Sequence, residues 1–403
     1  MEHFNNINNK NIVLFQGPVG CFFNELEELF IKNNNTTSRF IFNKSDEYFS
    51  NSLNEIKYLD GIDKWNDYIY NFFNNENIEI IILFNDLRPF HKIAISIALK
   101  LNIEVFVFEQ GYLRNGFITF ERNGVNTNSI TIPKSRLIYE KMNFKYSYKH
   151  NINKEQKEIK SNYYKLVKYI VIYGVLNKFF NSKYKLNNNN SYYKYDIIKD
   201  GLKWIYSRSL KFVFKKKTLK QINFLKNHKK NKYFLIPLQL NNDTQLLFNS
   251  PFNDINEFIF TTIQSFAKFS NKDEYLVFKV HPLNPDLMEF NNYIKTLSKK
   301  YHILDRVIYL NSGDLGVLIK NSKGVVTINS TVGISCVFHL HPLKVLGNAI
   351  FDIDGISYQG NLDDFWVDDF KPEYQIVSNF LNYILYYTQL SGSFYVENTI
   401  ITK

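Results

Sequence analysis

Val277-Phe278-Lys279-Val280-His281-Pro282, with Val325-Val326-Thr327-Ile328-Asn329-Ser330-Thr331-Val332-Gly333 further on, decides how this chain is read. Each stretch is a short β-branched and aromatic strand that stops abruptly in polar residues. In open α/β sheets, ligands bind in the crevice beyond the carboxyl ends of the strands. A His-Pro turn on one strand and an Asn-Ser-Thr turn on another therefore point to one pocket. Imidazole, hydroxyls and the backbone N–H groups that open a following helix all suit an anionic phosphate. The plainer alternative is two buried strands with ordinary helix caps, because Asn and Ser cap helices in any protein.

Around these motifs the sequence alternates strand and helix. Tyr233–Leu238 reads as a strand ending in Gln239, followed by a helix over Ile255–Phe269 and the strand Tyr275–Val280. A helix over Asp286–Lys300, strand Val307–Leu310, short helix Leu315–Lys320, strand Gly324–Ile328, helix Thr331–Phe338 and strand Pro342–Leu346 complete a doubly wound unit. The first part of the chain repeats the pattern. Strand Asn11–Phe15 turns through Gln16-Gly17-Pro18-Val19-Gly20 into a helix over Cys21–Lys32, and Arg39–Asn43 is a second strand. Ile78–Phe84 is an almost unbroken apolar run, as a parallel strand covered on both faces requires. It ends in Asn85-Asp86-Leu87-Arg88-Pro89, and a helix over Phe90–Leu101 leads to strand Glu104–Phe108 and Glu109-Gln110-Gly111-Tyr112-Leu113-Arg114. The glycines after the first strand match neither the P-loop nor the dinucleotide fingerprint.

The expected fold is α/β: two Rossmann-like domains facing a cleft, as in the glycosyltransferase B architecture, with a basic helical insertion. The boundaries fall at 1–134 for an N-terminal acceptor domain, 135–231 for the basic segment, 232–370 for a C-terminal nucleotide-sugar domain and 371–403 for a crossover helix (Phe380–Gln389) and tail.

Composition sets limits. A chain of 403 residues with 45% hydrophobic and 17% aromatic content has ample material for two cores, which excludes a disordered protein. Cys21 and Cys336 lie far apart in apolar surroundings, so a reducing compartment is expected rather than a disulfide framework. Met1–Lys10 lacks the apolar core of a signal peptide, and no stretch has the length and apolarity of a membrane span. The net charge of +11 is concentrated: Lys134–Lys232 holds 26 Lys and Arg against 5 Asp and Glu, a balance of +21. Tyr163–Phe180 and Tyr195–Phe214, on either side of the Asn187–Asn190 loop, place apolar residues at helical spacing with lysines between. That pattern suits the surface of an anionic bilayer, the alternative being a packed insertion with solvated lysines.

In the first domain, Asp86, Arg88, Glu109 and Arg114 fall at strand ends on one rim. Carboxylates beside arginines serve as nucleophile, acid or base, with the arginine gripping carboxylate or phosphate. A structural ion pair is the alternative for each. Glu121, beyond Phe117-Ile118-Thr119, falls near the same rim, and His91 follows the Arg-Pro turn, where a helix-start role is the alternative. His339 and His341 are spaced to point apart on a helix, and Asp352-Ile353-Asp354 reads as a surface turn, so no metal is expected.

Phe15-Gln16-Gly17-Pro18-Val19-Gly20, Asp86-Leu87-Arg88-Pro89, Phe108 to Arg114, Pro237-Leu238-Gln239, Lys279-Val280-His281-Pro282 and Asn329 to Gly333 together resemble the capsule polysaccharide biosynthesis proteins of the KpsS/LipB type. Lys344-Val345-Leu346-Gly347, Gln359-Gly360, Phe365-Trp366 and Thr388-Gln389 extend the resemblance over nearly the whole chain except its lysine-rich middle. It implies a β-Kdo transferase using CMP-Kdo without a cofactor, acting on a phosphatidylglycerol-type lipid at the cytoplasmic face of the inner membrane, beside other capsule assembly and export proteins. It also implies that the His281-Pro282 and Ser330-Thr331 turns hold the CMP phosphate and ribose; the expected site adds Lys279, Asn329 and Gln239 nearby and sets Gln16, Gly17 and Arg88 toward the acceptor. Related Kdo and sialic-acid transferases carry a catalytic carboxylate at the second position of an acidic-acidic-glycine turn. Here that position is Gln110, which leaves Glu109, Asp86 and Glu121 as alternatives.

Two readings from other classes remain. One is a non-catalytic capsule assembly or export component that holds the lipid-linked chain through the basic segment. The other is a nucleic-acid-binding protein, against which stands the absence of any recognised binding module.

Overall fold

The computed structural model describes residues 6–113, 116–156, 163–181, 183–184, 197–240, 244–282, 284 and 288–396. Arg114 and the Asn187–Asn190 loop lie outside them. In chain order the elements used below are β1 (Asn11–Leu14), α1 (Phe22–Lys32), β2 (Thr36–Ile41), α2 (Lys44–Phe49), β3 (Glu55–Lys57), α3 (Trp65–Asn75), β4 (Ile80–Phe84), α4 (Pro89–Lys100), β5 (Glu104–Gln110) and β6 (Phe117–Arg122). Then come α5 (Tyr163–Phe179), α6 (Ile197–His228), β7 (Tyr233–Pro237), α7 (Ile255–Phe269), β8 (Tyr275–Lys279), α8 (Glu289–Lys300), β9 (Val307–Leu310), β10 (Gly324–Thr327), α9 (Val332–Phe338), β11 (Leu343–Val345), α10 (Tyr374–Thr388) and β12 (Gln389–Ser391).

The chain forms two compact units. One comprises residues 1–132, 146–197 and 382–403, the other 133–145 and 198–381, so the basic segment is shared between them. The first unit is built on a sheet of order β12-β6-β5-β4-β1-β2-β3. Its strands from β3 to β5 are parallel, and β6 and β12 are added antiparallel at one edge. The second unit has an all-parallel sheet of order β11-β10-β7-β8-β9. Counted from the first strand of each unit, both sheets share the 3-2-1-4-5 order of the doubly wound fold. The α/β expectation holds for both units.

Burial explains the strands. Every residue of β4, Ile80–Phe84, is buried, because helices cover both faces of a parallel sheet. Helix α3 forms in an Asn-rich stretch because Trp65, Ile69 and Phe73, one turn apart, enter the core together. The Trp65 indole N–H donates to Phe90 O at 2.9 Å. In the second unit Trp366 is fully buried, its ring 4.9 Å from Phe234 and 5.4 Å from Phe266, and its N–H donates to Ser265 Oγ at 2.7 Å. Asp254 caps α7 by accepting from Glu257 N at 2.9 Å, while Glu257 Oε2 accepts from Asn253 N at 2.8 Å. Arg136 ties the 133–145 segment to the second unit through Glu373 at 2.5 Å and Asp354 at 3.3 Å.

The expectation of two-faced amphipathic helices in the basic segment is corrected. Neither α5 nor α6 gathers its apolar residues on one side; they encircle each helix with lysines interspersed. No helix among the described residues is long and apolar enough to cross a membrane. Helix α6 runs continuously well past Phe214, and α10 begins earlier than Phe380.

Trp366→Ala removes an aromatic side chain and its indole hydrogen bond to Ser265 Oγ, a loss of about 3–5 kcal/mol. Denaturant unfolding should show that loss in the transition of the second unit, and a change below ~1 kcal/mol would contradict this account of its core.

Candidate functional site

In a doubly wound sheet the crevice opens where the strand order reverses, between the first and fourth strands. In the first unit this is the carboxyl end of β1 and β4, with β5 beside β4. The turn after β4 is governed by Asn85, which sits in the left-handed region at φ 66°. Its Oδ1 accepts from Leu87 N at 2.9 Å, closing an Asx turn, and its Nδ2 donates to Glu109 Oε2 at 3.0 Å. Glu109 Oε1 accepts from its neighbour Gln110 N at 2.9 Å. The residue is half-buried. Burial, countered by the Gln110 N–H and reinforced by Asp86, pushes that carboxyl up to about 7.

Arg88 leaves the same turn and lies over the Phe84 ring at 5.2 Å. Its Nη1 donates to Gln16 Oε1 at 2.9 Å and Gln16 O at 3.2 Å, and its guanidinium reaches Gly17 O at 3.4 Å. Gln16 in turn donates to Asp46 at 3.0 and 2.8 Å. Burial raises the Asp46 carboxyl to about 6 against the Gln16 and Phe42 hydrogen bonds that lower it. The Tyr173 hydroxyl from α5 stands 3.1 Å from Gln16 Nε2 and 2.9 Å from Asn43 Nδ2, accepting from both. Gly17 has a packing reason for its identity: an added Cβ would meet the Phe23 ring at 2.8 Å. Thus Gln16, Gly17, Arg88 and Glu109 share one edge of one sheet.

Two other carboxylates take different positions. Asp86 is buried beneath the rim, where Oδ2 accepts from Val125 N and Asn128 Nδ2, both at 3.0 Å. Its Oδ1 is buried without a hydrogen-bond partner among the described residues, and burial raises its carboxyl. Glu121 is buried too, accepting from Tyr112 OH at 2.7 Å and from Ser129 Oγ, with its carboxyl raised by burial to about 7. Both act as anchors for the 125–131 turn. His91 is held neutral by burial, pushed down to about 3, with Nδ1 at 2.8 Å from Asn85 O, so it donates there and braces the Asn85 turn. Gln110 is exposed, its Nε2 3.5 Å from Tyr395 OH.

In the second unit the ends of β10, β7 and β8 are neighbours and carry Asn329-Ser330-Thr331, Gln239 and Lys279-Val280-His281-Pro282. Gln239 and Asn329 are buried and bound to each other: Gln239 Nε2 donates to Asn329 Oδ1 at 3.0 Å. Asn329 Nδ2 also donates to Gln245 O at 2.9 Å and Asn249 O at 3.0 Å. These amides fix the loops at the switch point. Lys279 is buried, His281 and Ser330 half-buried, and Ser330 Oγ accepts from Val332 N at 3.3 Å. Gly333 admits no side chain, since a Cβ would lie 2.2 Å from the Phe351 ring. The set offers an ammonium, an imidazole and hydroxyls at one sheet edge, a chemistry matched to phosphate. Asp352 accepts from Ser357 Oγ at 2.8 Å in its own turn.

Sequence reading did not find Asp46, Asn43 or Tyr173. The signal for the first two was present: Asn43 accepts from Asp46 N at 2.9 Å as the cap of α2, an N-x-x-D start.

Residues 79–395 match the family model described as capsule polysaccharide biosynthesis protein. The chain is 31% identical over 390 residues to the capsule polysaccharide export protein KpsS of Escherichia coli, covering 96% of this chain and 98% of that one. It is 29% identical over 397 residues to the capsule polysaccharide modification protein LipB of Neisseria meningitidis serogroup A, covering 96% and 92%. Among solved structures, the Thermosulfurimonas dismutans KpsC β-Kdo 2,4 transferase superposes with a TM-score of 0.43 at 11% identity, covering 96% of this chain and 93% of that one.

A carboxyl whose folded pKa lies above its unfolded value contributes most below the unfolded value and loses that contribution as pH rises through the folded one. For Glu109 the window runs from its ordinary value near 4.5 to about 7. Glu109→Gln should therefore gain stability relative to wild type between pH 5 and pH 8. Denaturant midpoints of the pair that shift in parallel across this range would refute the raised Glu109 carboxyl.

Proposed function

The chain belongs to the capsule polysaccharide biosynthesis proteins, and from that premise we propose that it transfers β-Kdo from CMP-Kdo to a phosphatidylglycerol-type lipid acceptor, or to the Kdo linker on it. The reading places it at the cytoplasmic face of the inner membrane, among other capsule assembly proteins, without a metal. One observation carries it. Glu109 is a half-buried carboxylate whose carboxyl is raised to about 7, held by Asn85 at the strand edge that also carries Arg88. A group of that pKa can take or return a proton at working pH.

The roles follow from the chemistry of each edge. His281, Pro282, Ser330, Thr331 and Lys279 receive the donor phosphate and ribose, while Gln239 and Asn329 hold the loops that present them. Gln16, Gly17 and Arg88 face the acceptor, and Arg88 pairs with an anionic group there. Arg114 is assigned to the Kdo carboxylate on its residue type. Asp86 supports the 125–128 turn and raises the Glu109 carboxyl electrostatically. Transfer with retained configuration runs through a carboxylate nucleophile or front-face attack, and Glu109 is the group available to either.

A second reading, a non-catalytic assembly or export component, is favoured by Gln110, an exposed amide at the family's carboxylate position.

CMP release from CMP-Kdo with and without phosphatidylglycerol separates the two, since a non-catalytic component releases none. Glu109→Gln should abolish transfer while CMP binding survives, and Asp86→Asn should lose less. Retained turnover in the first with none in the second reverses the assignment. His281→Ala should weaken CMP binding or turnover at least tenfold, about 1.4 kcal/mol. Unchanged affinity and turnover in a folded variant would remove His281 from the site. Chelator should leave turnover intact, and loss restored by added metal would refute the metal-free reading. Turnover present in Gln110→Glu and absent from the native chain would support the non-catalytic reading of the native chain.

A further inference from the structure

We propose that the outward face of α5 is the docking surface for an anionic lipid bilayer. The choice of partner rests on the lipid-acceptor reading above, while the surface itself is argued from the helix.

A helix that is apolar all round is stable in water only when it is covered all round. Helix α5 is apolar all round and covered on one side. On the covered side Tyr173 is buried, its hydroxyl bound to Gln16 and Asn43 and its carbonyl accepting from Ser45 Oγ at 2.7 Å. Asn177 Oδ1 accepts from Ser45 N at 3.1 Å, and Asn181 Oδ1, just past the helix, from Lys44 N at 2.7 Å. Tyr169 packs against Phe49 at 5.2 Å and against Gly20. The opposite side carries Tyr164, 86% exposed, Val171, 49%, Val175, 37%, and Phe179, 60%. Their spacing of seven, four and four residues puts them in one stripe, with Lys168 at the missing step, exposed Lys178 beside it and Phe180, 60% exposed, at its end.

Charge selects the occupant. Between Tyr163 and Phe180 there are three lysines and no Asp or Glu. Two copies of this face brought together would oppose lysine to lysine with no acid to compensate, which disfavours a self-association. An anionic bilayer accepts both components: valines and aromatic rings enter the headgroup–acyl boundary while lysine stems reach back to the phosphates. The helix is too short and too charged to span, so it lies on the surface. A bilayer seated there stands about one helix diameter, roughly 10 Å, from the Gln16–Gly20 loop that α5 braces from its other side. The same helix thus holds the loop that orients Arg88 and presents that unit to the lipid.

The test uses the full chain and sedimentation with vesicles of phosphatidylcholine, with and without phosphatidylglycerol. Wild type should bind the phosphatidylglycerol vesicles, less so as salt rises. Val171→Glu/Val175→Glu should lower that binding at least tenfold with an unchanged unfolding midpoint, as both residues are exposed. Lys168→Gln/Lys178→Gln should flatten the salt dependence. As a positive readout, Val171→Trp should shift its fluorescence to the blue on phosphatidylglycerol vesicles. Unaltered vesicle binding in the glutamate variant, or no blue shift, overturns the proposal. So does binding that is lost on Lys215→Gln/Lys216→Gln/Lys217→Gln but kept in the α5 variants. A concentration-dependent dimer that the glutamates dissolve, with no vesicle binding, also overturns it and makes the face a self-association surface. Vesicle binding without CMP release upholds this surface and defeats the transferase reading, so the two fail separately.

Discussion

The candidate site depends on the Asn85 amide. At the end of a strand buried on both faces, the chain must turn sharply with its polar groups satisfied, since an unpaired buried group costs about 1–3 kcal/mol. Asn85 meets the constraint twice, closing its own turn through Leu87 N and reaching β5 to hold Glu109. Its left-handed backbone suits Asn better than any β-branched residue. His91, neutral and fully enclosed, supports the same turn from below. One side chain therefore sets the direction in which Arg88 leaves and holds the Glu109 carboxyl, which burial raises against the Asn85 hydrogen bond.

The two units repeat one topology and carry different chemistry at the same place. Each switch point is fixed by side-chain amides: Asn85 with Gln16 in the first unit, Gln239 with Asn329 in the second. Amides suit this task because they donate and accept at once without the penalty of a buried charge. What they position differs. Raised carboxyls and an arginine lie at the first edge, an ammonium, an imidazole and hydroxyls at the second. The fold supplies the location and the loops supply the reaction class.

The strands and their terminal motifs were legible in the sequence because an unbroken apolar run such as Ile80–Phe84 admits few alternatives. Elements that depend on distant partners were not. Strand β12 exists through antiparallel pairing with β6, Gln389 with Thr119, across most of the chain. Helix α3 is poor in helix formers and rich in Asn, and burial of Trp65, Ile69 and Phe73 overrides that propensity. Strand-end positions likewise told where Asp86 and Glu121 stand but not which way they point. Their direction is decided by Val125 N and Asn128 for one and by Tyr112 and Ser129 for the other, partners that no local pattern announces.

Strand geometry also bears on Gln110. Successive side chains of a strand point to opposite faces, so Glu109 cannot replace a carboxylate at position 110 by a one-residue substitution of roles. Glu109 shares its face with Val107, in the core that holds Phe15 and Phe90, whereas Gln110 shares the face of Phe108, in the core that holds Phe22 and Phe394. An acid at 110 would stand at an exposed position beside Tyr395. An acid at 109 is half-buried, and burial and Asp86 raise its carboxyl to about 7 against the lowering effects of Gln110 N, Arg88 and the Asn85 hydrogen bond. Of the two positions, 109 is the one whose side chain the protein partly removes from water, while 110, where a motif would place an acid, is exposed.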